Sequence, residues 1–174
     1  MEALITKAKK VYAAAGLNCA DGLMPPSGKE AIDRIASALS LPIPEELRAL
    51  YSVHGGQEYI HPGTTGLFGA HRLYSPEEVI ESHGIYTEYY LPSLDPPPTF
   101  PPEDDEDPGF WVPELIPFAS WDAYDLCIHA YTEEVWESLP STGLIRHRPS
   151  IASVLEEVIA SVAAGNEAEL GTLR

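Results

Sequence analysis

Apolar positions recur at helical spacing in four well-separated parts of the chain. Leu4, Ile5, Ala8, Val11 and Tyr12 share one face of a segment from about Glu2 to Ala15. Ile32, Ile35, Ala36 and Leu39 do the same in KEAIDRIASALS, where Ser27 and Glu30 have capping-box spacing. In LPIPEELRALYSVHGGQ, Leu41 to Gln57, Pro44 suits a first helical position and Glu45 and Glu46 suit the positive end of the helix dipole. Leu47, Leu50 and Tyr51 form that short helix's apolar face, and Gly55 and Gly56 are expected to end it in left-handed geometry. Near the C-terminal end, Ser150 is an N-cap for IASVLEEVIASVAAG, with Ile151, Val154, Leu155, Val158, Ile159 and Val162 on one face and Gly165 as a C-cap.

Between these helices the pattern changes. GLFGAHRLY, from Gly66 to Tyr74, reads as one or two short strands. Ser75 and Pro76 then start a helix to roughly Tyr90 that carries Val79, Ile80, Ile85 and Tyr86. From Pro113 onward apolar and polar residues alternate. Leu126, Ile128 and Ala130 are expected on one sheet face, with Cys127, His129 and Tyr131 on the other. Glu134 to Glu137 alternates as well, and Gly143 to Arg148 adds a short final strand. No repeat occurs at a fixed period, and no βαβ rhythm is visible. The expected class is α+β: an antiparallel or mixed β-sheet with packed helices, in one domain spanning residues 1–174. Residues 91–109, LPSLDPPPTFPPEDDEDPG, interrupt that domain as a proline-rich and then acidic insertion that can be neither a helix interior nor a central strand.

Composition adds a strong charge bias. The 174 residues carry 10 basic and 27 acidic side chains, a net charge of −17. From Leu73 to Ile145 there is no lysine or arginine, while that stretch holds 16 aspartates and glutamates. Such a field repels nucleic acid and anionic membrane and attracts cationic partners. Solubility alone is the plainer account of the same charge. No apolar run approaches the ~20 residues that span a bilayer, and the N-terminal segment lacks signal-peptide order, so a cytoplasmic protein is expected. Two cysteines, Cys19 and Cys127, are too few for a disulfide framework.

Catalytic patterns are weak. The chain has no G-x-S-x-G elbow, P-loop, G-x-G-x-x-G or H-E-x-x-H. Cys127 and His129 could pair as nucleophile and base, or begin a metal site, but no further ligand or base stands at a matching spacing. Packing on a sheet face explains them better. Asp122 and Asp125, in SWDAYD, could be paired carboxylates, although a turn between strands favours aspartate for backbone hydrogen bonding. No catalytic residue, cofactor or metal is therefore assigned. Of Trp111, Trp121 and Trp136, at least one is expected in the core, while an exposed tryptophan beside acids would be an interface anchor. The candidate partner-binding residues are Glu103, Asp104, Asp105, Glu106, Asp107, Trp121, Asp122 and Asp125.

The order of these segments resembles the SMI1/KNR4 family, also called the SUKH superfamily. The resemblance is carried by the helix Lys29–Ser40 leading into LPIPEELRALYSVHGGQ, then GLFGAHRLYSPEEVIE, FWVPELIPFASWDAYDLCIH and SIASVLEEVIASV, from about residue 23 to 164. It implies an α+β domain that binds other proteins without a catalytic constellation. Many bacterial members are immunity proteins that neutralise a cognate toxin, frequently a nuclease, of a polymorphic or contact-dependent system. Fungal relatives are regulatory interaction proteins, which supplies the alternative of a scaffold with an endogenous partner. A toxin with a basic, phosphate-binding surface would complement the acidic stretch.

Overall fold

In a computed structural model of the chain, residues 1–58, 65–90, 111–122, 124–139 and 143–166 are described. Five α-helices and a five-stranded antiparallel sheet follow the expected order. They are α1 (Glu2–Ala14), α2 (Lys29–Leu39), α3 (Glu45–Tyr51), β1 (Arg72–Leu73), α4 (Pro76–Ile85), β2 (Leu115–Trp121), β3 (Tyr124–His129), β4 (Val135–Leu139), β5 (Gly143–Arg148) and α5 (Ile151–Ala163). The strands lie side by side in chain order, so each pairs with its neighbour in sequence. This is the α+β arrangement that the alternating pattern requires.

Period-two alternation puts Leu73, Ala119, Leu126, Ile128 and Val135 on one sheet face, where they join the main core with apolar residues of all five α-helices. The six apolar residues expected on α5 are all buried. Burying an aliphatic side chain of this size contributes about 1.5–3 kcal/mol, so α5 is a principal anchor, and it packs along α1. The second face is covered too. Cys127, Trp136, Leu115 and Leu144 meet Tyr86, Trp111 and Val112 in a smaller apolar cluster. Tyr86 begins a π-helical turn, Tyr86–Tyr90, that continues α4, and its ring stacks on Trp111 at 4.5 Å. Trp111 and Trp136 are thus core residues, whereas Trp121 is 39% exposed.

Several local expectations are corrected. Ser27 does not cap α2: Gly28 is the N-cap, with no side-chain cap bond, and the Ser27 N–H donates instead to the Tyr51 carbonyl. Pro44 is the N-cap of α3 and not its first helical residue. Gly55 and Gly56 do not terminate that helix, which ends at Tyr51 with Ser52 as its C-cap. Their role is close approach. A Cβ at Gly55 would lie 2.7 Å from the Pro25 carbonyl oxygen, and Gly56, at φ 144°, passes against Ser75. The segment around Met24 hydrogen-bonds along this stretch, through Met24 N–H to Gly56 O and Gly55 N–H to Pro25 O. Gly66–Tyr74, expected as one or two short strands, does contribute one, the two-residue β1, preceded by isolated bridges Gly66–Gly69 and Phe68–His71. Ile85 is exposed and not part of the α4 face.

Other caps form as the sequence implies. Ser75 accepts from the Glu78 N–H while Glu78 accepts from the Ser75 N–H, a complete capping box followed by Pro76. Ser150 caps α5, and Gly165 follows its last turn at φ 78°. Gln57 closes the opening stretch: its Nε2 donates to the carbonyls of Cys19, Asp21 and Thr65, and its Oε1 accepts from the Leu67 N–H. A buried amide with both ends satisfied fixes three loop segments against one another. Among the described residues no helix is long and apolar enough to cross a membrane.

Candidate functional site

The β2–β3 hairpin brings the two candidate aspartates close in sequence but separates their environments. Trp121 pairs with Tyr124, leaving a two-residue turn that begins with Asp122 at φ 48°. Aspartate is among the residues that tolerate this conformation in tight hairpins. Asp122 is exposed, beside the exposed Trp121.

Asp125 is not in the turn. It lies on β3 opposite Ser120 and Ser138, and it is 2% exposed. Strand alternation turns its side chain into the layer beneath α4, where the Tyr74 hydroxyl donates to Oδ1 at 3.1 Å and the Ser82 hydroxyl to Oδ2 at 3.0 Å. Hydroxyls of Ser120 and Tyr86 also support it. Burial pushes the carboxyl above its usual range, and the hydroxyl bonds only partly offset this. The same surroundings hold the Tyr74 hydroxyl up at about 12, chiefly through burial and then through Asp125. Arg72, nearby on this face, is engaged elsewhere: it bonds Glu78 at 2.6 Å and the Gln57 carbonyl at 3.2 Å, and lies over the Tyr74 ring. Asp125 is therefore a buried junction between β3, α4 and the residue that follows β1. The sequence offered no sign of this, since three of the four donors, Tyr74, Ser82 and Tyr86, stand 39–51 positions away.

Cys127 and His129 do share a sheet face, as alternation requires, yet both are buried. Burial raises the Cys127 thiol well above its ordinary value, opposite to what a nucleophilic cysteine needs. His129 Nδ1 accepts from the Thr132 N–H at 3.1 Å, and burial lowers its basicity. Among the described residues no group of three or more histidine, cysteine, aspartate or glutamate side chains is placed to hold a metal ion. Glu103, Asp104, Asp105, Glu106 and Asp107, with the rest of the expected insertion at 91–109, lie outside the described residues.

What the described surface offers is charge and aromatic area. Glu77, Glu81, Glu88 and Asp122 are exposed in the stretch that lacks basic residues, and Trp121 and Tyr131 are exposed aromatics. The described residues form an α+β domain that exposes these acidic and aromatic side chains. The chain belongs to the SMI1/KNR4 family (SUKH-1), whose model matches residues 26–156. The matched region runs from before α2 into α5, so α1 precedes it while packing on its last helix. A comparison with curated proteins finds no match.

Proposed function

We propose that this chain is a cytoplasmic, non-catalytic immunity protein of a bacterial polymorphic or contact-dependent toxin system, one SMI1/KNR4-like domain that binds and neutralises a cognate toxin. Membership of the SMI1/KNR4 family carries the reading. The net charge of −17, with 16 acids and no base between Leu73 and Ile145, supports a toxin with a basic surface such as a nuclease. Binding there would occlude the cationic groups that the toxin uses on phosphate and would draw the two proteins together quickly. Glu103 to Asp107, Trp121 and Asp122 are the proposed contacts, and Asp125 serves by holding the hairpin that carries the last two. The test is direct: a toxin domain encoded beside this chain is purified, and its activity is measured with and without the chain at low and high salt. Stoichiometric inhibition that weakens as salt rises is expected. No inhibition of any neighbouring toxin at either salt concentration would overturn the reading and leave a regulatory scaffold with an endogenous partner.

A further inference from the structure

The tip of the β2–β3 hairpin carries an assembly that packing alone does not call for. Register sets Trp121 beside Tyr124 on the face that also bears Leu126 and, opposite it, Glu137. Extending the β1–β2 pairing by one residue brings in His71. The Trp121 ring stacks on Tyr124 at 5.5 Å and 26°, and His71 meets it edge-on at 6.4 Å. His71 is fully buried and among the described residues neither ring nitrogen has a hydrogen-bond partner; Nε2 lies 3.5 Å from Glu137 Oε1. A buried imidazole left this way lowers stability, and folds retain few such groups. Here it lies directly behind an indole that is 39% exposed.

We infer that Trp121 is a docking platform for an arginine side chain of the protein partner, with Asp122 receiving the guanidinium N–H groups. The inference rests on the reading of this chain as a protein-binding module, and it names the chemistry of the contact. An indole face is the strongest cation–π acceptor among side chains. A guanidinium is flat, weakly hydrated and able to stack while its N–H groups reach a carboxylate, which an ammonium cannot do. Among the described residues no cation is seen over the Trp121 ring: no lysine or arginine occurs in sequence from Leu73 to Ile145, and Arg72 is committed to Glu78 and the Tyr74 ring. Tyr124 and His71 hold the indole in place, so little side-chain freedom is lost on docking.

Triarginine and trilysine peptides, equal in charge, are titrated into ¹⁵N-labelled protein while the three indole N–H signals are followed. Expected is a saturable shift of the Trp121 indole and tighter binding of triarginine, by about three- to tenfold. Trp121→Leu should bring the two affinities together while leaving the salt-dependent attraction common to both. Asp122→Asn, a surface change that leaves the fold intact, should weaken triarginine more than trilysine. Equal affinities for the wild type, or shifts spread over the acidic surface with the Trp121 indole unmoved, would overturn the inference. Failure of toxin inhibition would instead remove the immunity reading and leave an arginine preference standing.

Discussion

Replacing Asp125 by alanine and by asparagine separates two jobs of the buried carboxylate. Alanine leaves the hydroxyls of Tyr74 and Ser82 without their acceptor. Each unsatisfied buried hydroxyl costs about 1–3 kcal/mol. Both residues are only half-buried, so a total of about 2–4 kcal/mol is expected for the pair. Asparagine has the same shape, still accepts through Oδ1, and presents its amide N–H groups to hydroxyls able to accept. It also removes the cost of burying a charge, so it should lie within about 1 kcal/mol of wild type, or above it, at neutral pH. The pH dependence has a definite sign. Because burial raises the folded-state pKa, the protonated form is the one favoured by folding. The wild type therefore loses stability relative to Asp125→Asn as pH rises from the unfolded carboxyl value, about 3.9, through the folded value. Urea unfolding followed by circular dichroism between pH 4 and 8 gives the three curves, with unchanged m-values as the check that only stability moved. If asparagine were as damaging as alanine, or if the wild type gained on asparagine with rising pH, the hydroxyl cage would outweigh burial and the reasoning would fail.

Gly66→Ala should cost more than about 3 kcal/mol, because a Cβ there would lie 2.0 Å from the His71 carbonyl oxygen and 2.2 Å from its carbon, backbone atoms that cannot swing aside; a thermal-unfolding midpoint close to wild type would show that the Gly66–His71 turn opens freely. Burial lowers the basicity of His54, His83 and His129, so the unfolded chain takes up protons more readily below its ordinary histidine value, and stability should fall as pH drops from 7 toward 5. In the Asp125→Asn background, which removes the opposing carboxyl, that fall should be steeper, and a flat urea midpoint across the range would contradict it.

Local chemistry explains which elements were legible before any fold was known. The Ser75–Pro76–Glu78 start of α4 depends on atoms within one turn, so its motif appears within four consecutive letters. The α5 stripe is equally local, since 3.6-residue periodicity alone selects the buried face. Serine at position 27 shows the limit: Gly28 takes the cap, and the Ser27 N–H that Glu30 would accept from in a capping box is bound to the Tyr51 carbonyl, 24 residues away. The two glycines after α3 are another case. Their identity suggested helix termination, but what demands them is the passage of the Met24–Ser27 backbone and of Ser75.

The sequence by itself determined the helices, the alternating strands, the acidic bias and the family resemblance, because periodicity, caps and charge are properties of neighbours along the chain. Only the tertiary structure decided what the polar residues do. Alternation put Asp122 and Asp125 three positions apart on one hairpin, but the layer beneath α4 made one a buried junction while the turn left the other in solvent. His71, Trp121 and Glu137 are 50 and 16 residues apart in order, and they meet because antiparallel register joins β1, β2, β3 and β4 side by side. Desolvation and long-range pairing set those roles, and neither is written in any local stretch of the chain.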